Sequence, residues 1–156
     1  MTSELARRIA DLGLEMPSPA APAANYLPSR HGAGQLFIAG QVPQWNGQAR
    51  HVGRVGVELS VEEGQEAARL CALNILAQLD HALGGDLGRL QACLRVGGFV
   101  RCDPDFTDQP KVLNGASDLL VAVLGDRGRH ARTAVGVAAL PRGVAVEVDA
   151  IFAVTE

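Results

Sequence analysis

HARTAVGVAALP, residues 130–141, is a small, strand-like apolar run in which Arg132 and Thr133 are nearly the only polar side chains. A guanidinium keeps its charge in any protein environment and is costly to bury without a partner. Arg132 therefore either meets a nearby carboxylate or snorkels at the strand end, or it serves as a fork for a bound carboxylate or phosphate. Further on, VAVEVDAIFAV carries Glu147 and Asp149 two residues apart. That spacing puts both carboxylates on one face of a strand, with Val146, Val148 and Ala150 on the other. Such a face is either solvated or, if it is an interface, makes Glu147 an acid/base candidate. Tyr26, the one tyrosine, suits core packing or a pocket wall. Asn114 interrupts a helical run, where asparagine is a poor helix former, and so either caps, faces solvent or projects into a site. The four histidines, His31, His51, His81 and His130, are scattered without metal-ligand spacing, and no metal site is expected.

The elements that must hold these groups follow from periodicity. SELARRIADLG places Leu5, Ile9 and Leu12 on one helical stripe, with Gly13 as its stop. A Pro/Ala-rich connector follows, MPSPAAPAANYLP, which must run extended. QLFIAGQVP reads as a buried strand ending at Gly40. Asn46-Gly47 then suits a two-residue hairpin turn, with a further strand expected near HVGRVGVEL. Ser60-Val61-Glu62-Glu63 is a capping box for a long helix. Its apolar stripe, Ala67, Leu70, Cys71, Ile75 and Leu79, is broken by Asn74 and Gln78. Gly84-Gly85 ends it. LQACLRVGGFVRC is a strand in which Gly97-Gly98 marks a bulge or a close backbone approach. Asp103-Pro104 turns the chain into a second helix from about Thr107 to Gly125. Two last strands close the sequence, joined by Pro141-Arg142-Gly143.

Helices alternating with strands imply a layered α/β sheet with both helices on one face. The last strands are apolar on both sides, so one face lacks a cover from this chain, which predicts an oligomer. Nothing marks an internal boundary or repeat. Residues 1–156 read as one domain, with a helix and connector over 1–20. At 47% apolar, 20% charged and a formal charge of −3, the chain reads as soluble and globular. The acidic balance argues against a general nucleic-acid binder, which needs a basic face. No stretch approaches the roughly 20 apolar residues of a membrane span, and the N-terminus does not read as a secretory signal. Three cysteines without a CxxC fit free thiols in a reducing cytoplasm.

The pieces together resemble the RidA/YjgF family of reactive-intermediate deaminases. ARTAVGVAALPRGVAVEVDAIFAV is similar to that family's signature: an Arg-Ser/Thr strand, a Leu-Pro turn, then a Val-Glu-Ile/Val-Glu/Asp strand. NYLPSRHGAGQLFIAGQVP resembles its tyrosine followed by a strand ending in Gly-Gln-Ile/Val-Pro, and KVLNGASDLL falls in matching order between them. The likeness runs from about residue 20 to the end. It implies a fold similar to the Bacillus-type chorismate mutase, an α+β sheet backed by two helices, assembled as a homotrimer with ligand sites between subunits.

By position, the resemblance makes Arg132 the residue that grips a substrate carboxylate and Glu147 the one that holds or activates water. Tyr26, Asn114 and Gly40 would line the ligand site, Tyr26 from a neighbouring subunit. Deaminating members usually carry cysteine two residues after the arginine; here that position is Ala134, which keeps the main chain and loses the thiol. The implied activity is hydrolysis of reactive 2-imino acids to 2-oxo acids and ammonia, with no metal or organic cofactor. The alternatives are a non-catalytic trimer that binds a small carboxylate as a sensor or scaffold, which the missing thiol favours, and an endoribonuclease, which the acidic balance argues against.

Overall fold

The computed structural model describes residues 1–156. Its framework is a five-stranded sheet in the order β1-β2-β7-β5-β6. The strands are β1 (Ser29–Gly32), β2 (Gln35–Gln41), β5 (Leu90–Arg101), β6 (Ala131–Val137) and β7 (Val146–Val154). Every pairing is antiparallel except β5 with β6, which is parallel. A parallel pair needs a crossover, and α3 (Gln109–Leu124) supplies it. The long helix α2 (Val61–Leu83) packs beside α3, and α1 (Glu4–Asp11) adds Leu5 and Ile9 to the same core. No helix is long and apolar enough to cross a membrane.

The apolar faces follow the sequence pattern closely. Along β7, Val146, Val148, Ala150, Phe152 and Val154 are buried against the helices, while Glu147, Asp149, Ile151 and Ala153 face the other way. That second face has no layer over it. Phe37 on β2 and Val135 on β6 expose 44% and 40% of their surface there, a large apolar fraction for side chains in a sheet. The uncovered face read from alternation is thus present in the structure.

Capping decides the helix limits. Ser60 accepts from the Glu63 N–H while the Glu63 carboxylate accepts from the Ser60 N–H, and Gly84 ends α2 in the left-handed region at φ 65°. Gly98 is where close approach demands glycine: a Cβ there would sit 2.2 Å from Leu113 Cδ1 of α3. Gly97-Gly98 therefore marks close packing; the β5 bulges fall earlier, at Leu90/Ala92 and Cys93/Arg95.

Three expectations need correction. The segment 51–59 is not a strand. It makes only isolated bridges, Val52 to Val144 and Val55 to Leu59 and Cys102, because it passes around the end of the sheet with left-handed turns at His51 and Gly56. A strand the pattern did not show, β1, pairs with β2 through an Ala33-Gly34 turn with positive φ at both residues. It is a polar edge strand, and an edge needs no apolar alternation. Leu12 lies outside the buried stripe of α1 at 42% exposure, since the helix has already ended and Leu12 is its C-cap. The Asn46-Gly47 hairpin is present as β3 (Gln44–Trp45) paired with β4 (Gln48–Ala49).

Candidate functional site

The six residues singled out for chemistry separate into two groups on opposite faces of the sheet. Arg132, Asn114 and Ala134 lie on the helix side of edge strand β6. Tyr26, Gly40 and Glu147 surround a cavity beside the open face. Register explains the division. Arg132 pairs with Val96 and Ala134 with Gly98, and those β5 positions turn toward the helices. Glu147 pairs with Phe99, on the opposite face. One chain does not bring Arg132 and Glu147 together.

Arg132 has no carboxylate partner. The chain's ion pairs involve Arg8, Arg54, Arg95, Lys111 and Arg129. Three uncharged acceptors hold its guanidinium against α3. Nη1 donates to Asn114 Oδ1 at 3.0 Å and Ser117 Oγ at 3.1 Å, and Nη2 donates to the Pro110 carbonyl at 3.2 Å. Two of its five N–H donors, on Nε and Nη2, remain without a protein acceptor. The cation is oriented but not neutralised, which is the state of an anion receptor rather than of a structural ion pair. A cleft of about 300 Å³ opens beside it, lined by Ser117, Asp118, Val121, Arg129, His130 and Arg132.

Sequence reading did not single out Ser117, and left His130 among scattered histidines. Ser117 Oγ lies 2.8 Å from His130 Nε2, and His130 Nδ1 lies 2.6 Å from the Gly128 carbonyl. The available signal was helical spacing: Asn114 and Ser117 are three apart, so they share a helix face. Ala134 is partly buried and packs against the core.

The second group is built around a β-bulge. Register between β2 and β7 shifts between Ile38 and Gln41, leaving Ala39 and Gly40 out of the ladder. The Glu147 side chain lies against Gly40 so closely that a Cβ would come within 3.0 Å of the carboxyl carbon. Burial pushes the Glu147 carboxyl above its ordinary value, and the neighbouring Asp149 charge adds to the shift. The cavity holds about 220 Å³, and its wall includes Tyr26, Gly40, Gln44, Arg142 and Glu147. Tyr26 is half exposed and does not pack in the core.

The two polar breaks in the α2 stripe position this cavity's wall. Asn74 donates to the Gln44 carbonyl at 2.8 Å and Gln78 to the Ala20 carbonyl at 2.7 Å. Both side chains are buried, so these bonds give their amide nitrogens partners while fixing the hairpin and the extended connector. Arg142, read only as part of a turn, ties in the other side by donating to Gln44 Oε1 and the Gly47 carbonyl.

A larger groove of about 470 Å³ runs over the helices, lined by residues including Glu62, Gln65, Arg69 and Asp118. It collects no histidine, cysteine or hydroxyl. Nowhere do three His, Cys, Asp or Glu side chains group to hold a metal ion.

Comparison with known proteins covers nearly the whole chain. A family model described as YjgF/chorismate mutase-like matches residues 6–153. The protein TCP17 of Trypanosoma cruzi is 46% identical over 151 residues, spanning 96% of this chain and 94% of that protein. The crystal structure of Atu1372 from Agrobacterium tumefaciens, a protein of unknown function, is 43% identical and superposes with a TM-score of 0.89 over 97% of this chain and 94% of that one. RidA from an Antarctic Psychrobacter is 27% identical, with a TM-score of 0.59 over 88% of this chain and 94% of its own.

Proposed function

The chain belongs to the YjgF/chorismate-mutase-like family, and we propose that within it this protein hydrolyses small 2-imino acids to 2-oxo acids and ammonia. The observation that carries the reading is the state of Arg132, held by three uncharged acceptors with two donors left over. Those donors suit a carboxylate, which a guanidinium takes with charge-assisted bonds.

The hydrolytic half of the site comes from a second copy. Assembly as a homotrimer, with the edge strand β6 of one subunit against the open face of its neighbour, would set the Arg132 cleft of the first beside the Tyr26–Gly40–Glu147 cavity of the second, each subunit working as one domain over residues 1–156. In that arrangement Arg132 fixes the carboxylate and holds the imine carbon against a water beside Glu147, an orientation effect. Glu147 takes a proton as the water oxygen bonds to the imine carbon, whose C=N π electrons pass to nitrogen. That proton passes to the nitrogen and gives a carbinolamine; Glu147 then takes the new hydroxyl's proton and delivers it to the same nitrogen, so the C–N bond breaks and ammonia leaves as the C=O forms. A carboxyl raised by burial suits both halves of this transfer. Tyr26 walls the site, Asn114 holds Arg132, and the Gly40 and Ala134 main chains flank the ligand. The residues need no metal or organic cofactor for these steps. Three free, buried cysteines suit a reducing compartment, and the cytoplasm is the proposed location.

A second reading, a trimer that binds a small carboxylate without turning it over, is favoured by one observation: Ala134 carries no thiol where the resemblance usually shows one in deaminating members. Generating 2-aminoacrylate or its butyrate homologue in situ and following imine loss separates the two. The deaminase reading expects acceleration by the wild type and none by Arg132→Ala. Equal rates with and without protein would leave the binder.

A further inference from the structure

We infer that Ser117 and His130 form a hydroxyl–imidazole relay that completes the Arg132 anion site and makes its grip on a carboxylate depend on pH. The inference rests on the carboxylate-binding reading of Arg132 and adds two residues and a control to it.

With the ring neutral, the Gly128 carbonyl sets the hydrogen-bond direction in this cluster. A carbonyl only accepts, so at 2.6 Å the His130 Nδ1 must carry a proton and donate to Gly128. The neutral imidazole then has a bare Nε2, which can only accept. Ser117 Oγ, 2.8 Å away, therefore donates its proton to the ring. Its lone pairs are left to accept from Arg132 Nη1 at 3.1 Å. The chain runs one way: Arg132 Nη1–H to Ser117 Oγ–H to His130 Nε2, then Nδ1–H to the Gly128 carbonyl. Fixing a histidine tautomer through its far nitrogen is how imidazoles are set for a defined task.

Protonation of His130 reverses one link. Nε2 becomes a donor, and Ser117 Oγ accepts from both Arg132 and the ring. Its own proton is released toward the cleft that Ser117, His130 and Arg132 all line. A bound carboxylate then gains a third donor and a second nearby cation. The other charged groups facing this cleft do not change the sign. Asp118 of α3 lines it, Arg129 pairs with Asp126 at 3.2 Å, and Arg127 is turned away to the Leu87 and Leu90 carbonyls. Histidine is the side chain among these that changes charge in the range from about pH 5 to 8.

The test is calorimetric titration with 2-oxobutanoate at about pH 5.5 and 8.5. Wild type is expected to bind about tenfold more tightly at the acid end, the gain that one added hydrogen bond to a charged group produces. His130→Gln, which keeps an acceptor near Nε2 and cannot charge, binds with most of that difference lost. Ser117→Ala loses it too, which separates a relay through the hydroxyl from plain attraction to a charged ring. A slope in His130→Gln equal to that of wild type overturns the relay, as does an undiminished slope in Ser117→Ala. Arg132→Ala abolishes binding at both pH values. If it binds like wild type, the Arg132 reading itself fails, and the relay with it. Nitrogen-15 NMR of the unsubstituted protein gives a check free of folding effects. The relay expects the Nδ1–H tautomer for neutral His130; the Nε2–H tautomer would contradict it.

Discussion

Replacing Arg132 with lysine keeps the charge and removes the geometry. The guanidinium uses three N–H groups to fix its plane on Asn114, Ser117 and Pro110, and has two left for a ligand. An ammonium has three donors at a single point. It can hold the cradle or meet the carboxylate, but it cannot present a fork while doing both. Losing one charge-assisted hydrogen bond costs about 1.5–3 kcal/mol, so Arg132→Lys should weaken carboxylate binding about 10- to 150-fold. The cradle acceptors Asn114 and Pro110 are exposed, so water replaces the lost bonds and stability should change by no more than about 0.5 kcal/mol. Titration of both proteins with 2-oxobutanoate, alongside urea unfolding, reads the two quantities separately. Equal affinity in the two proteins would refute the fork. Weak binding together with a large loss of stability would show Arg132 to be a structural residue.

Other consequences follow from burial and close contact. Because the Glu147 pKa is raised on folding, its contribution to stability is fully present below the ordinary glutamate range and is lost as pH rises through the folded-state value. Glu147→Gln should therefore be more stable than wild type at pH 7 and lose that advantage on acidification, while imine hydrolysis disappears; thermal melts across pH and the imine assay check both. Gly115→Ala would drive a Cβ to 2.1 Å from the Gln65 carbonyl oxygen where α2 and α3 touch. Overpacking of this kind costs about 1–3 kcal/mol or more, to be read as a lower urea midpoint with unchanged slope. The three thiols are buried and unpaired, and burial pushes Cys93 up to about 12. A thiol-exchange reagent at neutral pH should label the native protein slowly and release all three groups at once in denaturant.

Much of the fold was legible because the strongest signals were local. The Ser60 box, the Gly84 stop, the Asn46-Gly47 turn and the alternation through β7 each reflect a rule that acts within a few residues. The failures were non-local. HVGRVGVEL has strand-like content, but its place at the end of the sheet offers it only single bridges. β1 is polar because it is an edge, and its pairing is dictated by the turn at Ala33-Gly34. At the site, the charged residues stood out, since an arginine or a carboxylate pair in an apolar strand is conspicuous. Ser117 and His130 did not: a serine on a helix and a lone histidine acquire meaning only when α3 and β6 bring them to 2.8 Å. Asn74 and Gln78 were visible as breaks in a stripe. Their purpose needed the connector and hairpin carbonyls they hold.

The central claim is that the Arg132 cleft of one copy and the Glu147 cavity of another make one hydrolytic site. Subunit complementation tests it most directly. Arg132→Ala and Glu147→Gln proteins, each inactive alone, are co-refolded in equal amounts and assayed for imine hydrolysis. Random assembly around a closed ring pairs an intact Arg132 with an intact Glu147 at about one interface in four, so the mixture should regain about a quarter of wild-type activity. A mixture of verified mixed oligomers as inactive as its components would contradict the claim and leave the two residues with no shared site.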